Sequence, residues 1–109
     1  MIKVTFTEEG KKLSLRVEGH AEYAENGKDI VCASASILAH IFAVTILEFD
    51  EVYDVDSTVD LTSGDTTIEC TCKNDKAYEN VSNAYRYTKL GYALLEHNYP
   101  QYVRLNAPT

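Results

Sequence analysis

Basic residues are in short supply in this 109-residue chain: ten lysines and arginines stand against 17 acidic residues, for a net charge of −7. Such a surface repels a phosphate backbone instead of gathering it through counterion release, so direct nucleic-acid binding is not expected. A basic polypeptide would be attracted. The sequence also lacks the long apolar stretch of a signal peptide in its opening residues Met1-Ile2-Lys3-Val4-Thr5-Phe6-Thr7. No window is read as approaching the roughly 18 apolar residues of a membrane span, which leads to the expectation of a cytoplasmic protein without membrane association. Cysteine is sparse as well. Three residues, an odd number in a chain without an export signal, argue for reduced thiols over a disulfide framework, and at least one thiol must be free.

What is present is ordinary for a soluble domain: 45% hydrophobic and 25% charged residues, which points to a single domain over 1–109 with one core and no need of a metal or disulfide staple. Ile2, Val4 and Phe6 alternate with polar residues, as do Leu13, Leu15 and Val17, the period-2 signature of half-buried strands, with Glu8-Glu9-Gly10-Lys11 as a hairpin turn. Residues 19–31 show no periodicity and form a loop long enough to suggest a functional role. From Cys32 to Phe49 the chain is apolar nearly all the way round, so this helix needs cover on more than one side, and a homodimer formed through it would supply that cover. A second alternating pair, Tyr53–Leu61 and Thr66–Cys72, flanks the turn Thr62-Ser63-Gly64-Asp65. Asn74 or Asp75 caps a last helix that ends at Asn98-Tyr99-Pro100, and Val103 and Leu105 can add an edge strand. The order ββ-α-ββ-α-(β) implies an α+β two-layer sandwich with a largely antiparallel or mixed sheet and two helices.

The chemistry concentrates around the aperiodic loop. Cys32 stands where the loop meets the first helix, and unpaired N–H groups at a helix N-terminus favour a thiolate over a thiol. His20 closes the second strand at the other end of the loop, so nucleophile and base can meet at one edge of the sheet. Spacing alone favours the plainer reading, an unpaired loop histidine and a packed cysteine. Asp29 could orient the imidazole or cap the helix, and Ser36 shares a helical face with Cys32. Gly19 and Gly27 suit positive φ and are candidate hinges that would let the loop admit an extended peptide. Cys70 and Cys72 fall on the same strand face as Ile68 and read as core, while His40 and His97 have no ligand spacing to a cysteine, so no metal site is expected. The acids Glu48, Asp50, Glu51, Asp54, Asp56 and Asp60 read as a solvated face, and Tyr78, Tyr85, Tyr87, Tyr92 and Tyr99 as core or interface, with one or two available to line a pocket.

The string Gly19-His20-Ala21-Glu22-Tyr23-Ala24-Glu25-Asn26-Gly27-Lys28-Asp29-Ile30-Val31-Cys32-Ala33-Ser34-Ala35-Ser36 resembles the signature of the ribosomal-processing cysteine proteases called Prp, as do the chain's length, its element order and its tail Val103-Arg104-Leu105-Asn106. Ala24 and Ser34 depart from that pattern, where glycine and a smaller residue are common. The resemblance implies a catalytic histidine at His20 and a catalytic cysteine at Cys32. It further implies a substrate, the precursor of ribosomal protein L twenty-seven, whose N-terminal extension would be removed after paired aromatic residues during ribosome biogenesis. Thiolate attack, an oxyanion held by backbone N–H groups at the start of the helix and an acyl-enzyme would follow, without metal or organic cofactor. Two other readings compete: the same chemistry on a different precursor such as a phage structural protein, and a non-enzymatic dimeric adaptor of the same fold in which Cys32 is only packed.

Overall fold

The structure, a computed structural model, describes residues 1–25 and 27–107, apart from the side chains of Glu51 and Tyr53. Its elements follow the order β1 (Ile2–Glu9), β2 (Lys12–Glu18), α1 (Ile30–Tyr53), β3 (Val55–Thr62), β4 (Asp65–Cys72), α2 (Asp75–Asn98) and β5 (Val103–Asn106). This is the anticipated α+β arrangement. The strands form one sheet in the order β3-β4-β2-β1-β5, antiparallel throughout except for the parallel pair β1 and β5.

Alternation translates directly into burial. Ile2, Val4 and Phe6 of β1 and Leu13 and Leu15 of β2 are buried, and the register sets Phe6 opposite Leu15 and Val4 opposite Val17. On β4, Ile68, Cys70 and Cys72 share the inner face, so both cysteines are core residues as expected. Two helices cover that face. Phe6 meets Tyr85 of α2 edge-on at 5.1 Å between ring centroids and Tyr92 at 5.8 Å, while Phe42 of α1 lies 5.9 Å from Tyr85. Each fully buried side chain of this size contributes roughly 1.5–3 kcal/mol. The helices approach closely at Gly91, where an added Cβ would come within 2.6 Å of Leu38 Cδ2.

The boundaries explain themselves locally. Asn74 caps α2 by accepting the Ala77 N–H at 2.8 Å, and Tyr99, held by Pro100 behind it, ends the helix with its N–H on Leu95 O at 2.9 Å. Helix α1 starts two residues before Cys32 and runs to Tyr53, so Tyr53 is helical and does not open β3; Asp54 stops the helix in the left-handed region at φ 58°. The expectation that no window could span a membrane is corrected. Ile30–Asp50 has a mean hydropathy of 2.3 and is, by length and composition, long and apolar enough. Here one of its faces, with Val31, Ala35, Ala39, Phe42, Ala43 and Ile46, packs into the core, while Ile37, Ile41 and Val44 remain 58%, 53% and 56% exposed.

Candidate active site

Gly19 turns the chain out of β2 with φ +88°, a conformation that favours glycine, and its N–H donates to Gly64 O at 2.9 Å in the β3–β4 turn. A Cβ at Gly19 would also sit 2.5 Å from Met1 O. His20 follows immediately, its carbonyl accepting the Met1 amino group at 2.7 Å. The His20 ring lies over Gly64, close enough that a Cβ there would be 2.7 Å from Nε2. The next residue, Ala21, is buried and donates its N–H to Cys32 Sγ at 3.3 Å. The loop therefore does bring its two ends together: the backbone beside His20 is hydrogen-bonded to the thiol of Cys32.

Asp29 organises this closure. As N-cap of α1 its Oδ1 accepts from Val31 N at 3.0 Å and Cys32 N at 2.9 Å, and its Oδ2 accepts from the loop amides of Tyr23 at 3.0 Å and Ala24 at 3.4 Å. Burial alone would raise the Asp29 pKa, but the N–H donors of Cys32, Tyr23 and Ala24 and the Cys32 side chain outweigh it and hold the carboxyl below its ordinary value. Asp29 makes no hydrogen bond to His20 among the described residues; the geometry shown is that of a helix cap and a loop tie. The helix-start N–H groups expected as oxyanion donors all have acceptors within the protein. The N–H groups of Val31 and Cys32 are taken by Asp29 Oδ1, and that of Ala33 by Asp29 O at 3.1 Å.

Gly27 adopts φ +87° in open space, and Glu22 is left-handed at φ 57°, so the loop bends through positive φ at Gly19, Glu22 and Gly27. Asn26 of the motif lies outside the described residues. On the far side of the loop the Tyr23 ring docks edge-on against Tyr99 and Tyr102, at 5.5 Å and 5.2 Å between centroids. Ser34 Oγ donates back to Ile30 O at 2.7 Å and so is satisfied within the first turns.

His20, Cys32, Asp29, Ser36, Gly19 and Gly27 all line one open cleft of about 620 Å³. His20 and Cys32 share it, with no direct hydrogen bond between them among the described residues. Two contributions escaped sequence reading. Ser63 and Gly64 arrive from the β3–β4 turn, and His40 from the third turn of α1. The turn itself was legible, but nothing in its residues says against which loop it packs. None of Tyr78, Tyr85, Tyr87, Tyr92 and Tyr99 lines the cleft: Tyr85 and Tyr92 are buried in the core and Tyr87 is exposed. Among the described residues no cluster of three or more His, Cys, Asp or Glu side chains could hold a metal ion.

A model of the family described as cysteine protease Prp matches residues 1–104. A search of curated proteins gave no significant match. Among solved structures, the chain is similar to an essential ribosomal processing protease Prp from S. aureus in complex with a covalently linked product peptide. That chain is 24% identical, with 98% of this chain and 99% of that one covered and a TM-score of 0.73. The same S. aureus protease with a substrate peptide aligns at 22% identity, covering 98% and 99%, with a TM-score of 0.69. A Streptococcus mutans protein is 28% identical over 98% of this chain and 93% of its own, with a TM-score of 0.68.

Proposed function

This chain belongs to the cysteine protease Prp family, and we propose that Cys32 is its nucleophile, His20 its general base, and the N-terminal extension of ribosomal protein L twenty-seven its substrate. The observation that carries the catalytic assignment is the Ala21 N–H donating to Cys32 Sγ at 3.3 Å at the mouth of a cleft that His20 also lines. A donor aimed at sulfur stabilises negative charge there, and it places the His20 backbone one residue from the reacting atom.

In this mechanism a rotation of the His20 ring off Gly64 brings it to the thiol. It takes the Cys32 proton as sulfur attacks the scissile carbonyl, returns that proton to the leaving amine, and then activates the water that hydrolyses the thioester. With the amides of Val31, Cys32 and Ala33 already bonded to Asp29, the donor assigned to the oxyanion in this reading is the Ala21 N–H beside sulfur, which passes from sulfur to oxygen as charge moves. Gly19 and Gly27 act as hinges of the loop. No cofactor takes part.

The substrate assignment is supported by the description of the S. aureus relatives as ribosomal processing proteases and by the net charge of −7, which suits a basic target in the cytoplasm. The exposed Ile37, Ile41 and Val44 on α1, with Leu90 and Leu94 on α2 at 57% and 56% exposure, support a homodimer that covers both helices. Sedimentation showing a monomer at micromolar concentration would contradict that arrangement. The substrate is tested by incubating the protein with the full-length precursor and with a peptide spanning its extension junction, followed by mass spectrometry. One cut after the paired aromatic residues is expected; an intact precursor and an intact peptide would direct attention to another substrate.

A further inference from the structure

Cys32, Ser36 and His40 follow one another at four-residue intervals along α1, and all three line the cleft. His40 is exposed, and its Nδ1 lies 2.8 Å from Ser36 O, with Ser36 Oγ at 3.4 Å. A carbonyl oxygen can only accept, so in the neutral ring the proton sits on Nδ1 and Nε2 carries a lone pair. No described residue uses that lone pair. The hydrogen bond to the helix backbone thus fixes both the tautomer and the orientation of an acceptor on the cleft wall.

Eight residues of helix rise about 12 Å from Cys32 to His40. An extended peptide advances roughly 3.3–3.6 Å per residue. A substrate lying along this wall with its scissile carbonyl at Cys32 therefore passes His40 three to four residues from the cut. We infer that His40 is a specificity-determining residue whose Nε2 accepts a hydrogen bond from an N–H-bearing side chain, amide or cationic, at that distance from the scissile bond. This rests on the reading of the cleft as a peptidase site with Cys32 as nucleophile.

The test separates binding from cleavage. Fluorescently labelled decapeptides around the extension junction, carrying Gln, Lys, Leu or Glu at the third or fourth position on either side of the scissile bond, are titrated by anisotropy into Cys32→Ala protein, with and without His40→Leu or His40→Gln. One hydrogen bond corresponds to about a 3- to 10-fold difference in Kd. Gln and Lys peptides should bind Cys32→Ala tighter than the Leu and Glu peptides by that factor at one position. His40→Leu should abolish the preference, and His40→Gln, whose amide oxygen can accept the same N–H, should restore part of it. A preference that survives His40→Leu, or no preference at any of the four positions, overturns the inference. The same peptides incubated with protein retaining Cys32 report separately on the peptidase reading: His40-dependent binding without cleavage would leave the subsite standing and remove the reaction.

Discussion

Replacing Asp29 separates two jobs done by one carboxylate. Its Oδ1 satisfies the first amides of α1 and its Oδ2 ties down Tyr23 and Ala24 of the loop. Asp29→Ala removes both, and loss of an N-cap costs about 1 kcal/mol, within a range of roughly 0.5–2. For a domain of this size that lowers Tm by about 3–7 °C. Asp29→Asn keeps a cap, because asparagine serves as well as aspartate at that position, but it places an NH₂ group where Oδ2 accepted two N–H bonds. Its Tm should therefore stay within about 2 °C of wild type. Hydrogen exchange over residues 21–25 should rise in both variants, and alkylation of Cys32 by iodoacetamide should change with it, because the Ala21 N–H is no longer held at sulfur. The sign of the pH effect follows from the lowered Asp29 pKa: its contribution to stability is complete above the ordinary carboxylate value and fades as pH falls through the lower folded value. The Tm gap between wild type and Asp29→Ala should accordingly close in acid. The reasoning is refuted if Asp29→Asn loses as much Tm as Asp29→Ala while loop exchange stays at the wild-type rate.

Two buried tyrosines give a contrasting pair. Tyr92 OH donates to Ala35 O at 2.7 Å, so Tyr92→Phe should destabilise by about 1 kcal/mol in urea unfolding. Tyr85 OH has no hydrogen-bond partner among the described residues, and burial together with the Glu8 charge pushes its pKa up to about 12. Tyr85→Phe should be neutral or stabilising in the same assay. Burial pushes the Cys70 and Cys72 thiols up, so native protein should react quickly with a thiol reagent at Cys32 alone; fast reaction at three sites before denaturant is added would contradict the packing of β4. Gly64→Ala should shift the imidazole NMR signals of His20, because the new methyl occupies the place of the ring. Gly10→Ala, equally left-handed but in open space, should leave those signals in place.

The strands were legible because a sheet covered on one side imposes a period of two on residues such as Ile2, Val4 and Phe6, and the helix stop at Tyr99 because Pro100 enforces it. The run of α1 to Tyr53 was not. The helix ends at a left-handed Asp54, a residue with only a weak preference for that conformation, and Tyr53 fits the alternation of the strand behind it. The parallel pairing of β5 with β1 was equally hidden, since it joins Ile2 to Val103 across almost the whole chain. At the site, His20, Cys32 and the capping preference of Asp29 could be read locally. The seating of His20 on Gly64 depends on the pairing of β2 with β4, which brings residues 44 positions apart together. The commitment of the helix-start amides to Asp29 is a matter of which acceptor wins, and only geometry decides it.

The most direct measurement is capture of the acyl-enzyme. Protein mixed with the extension-junction peptide, quenched in acid after milliseconds and examined by intact mass and fragmentation, should carry the N-terminal fragment as a thioester on Cys32. His20→Ala should accumulate little adduct, because no base remains to take the thiol proton as sulfur attacks. Continued cleavage by Cys32→Ala, or an adduct on Cys70 or Cys72 with none on Cys32, would contradict the account.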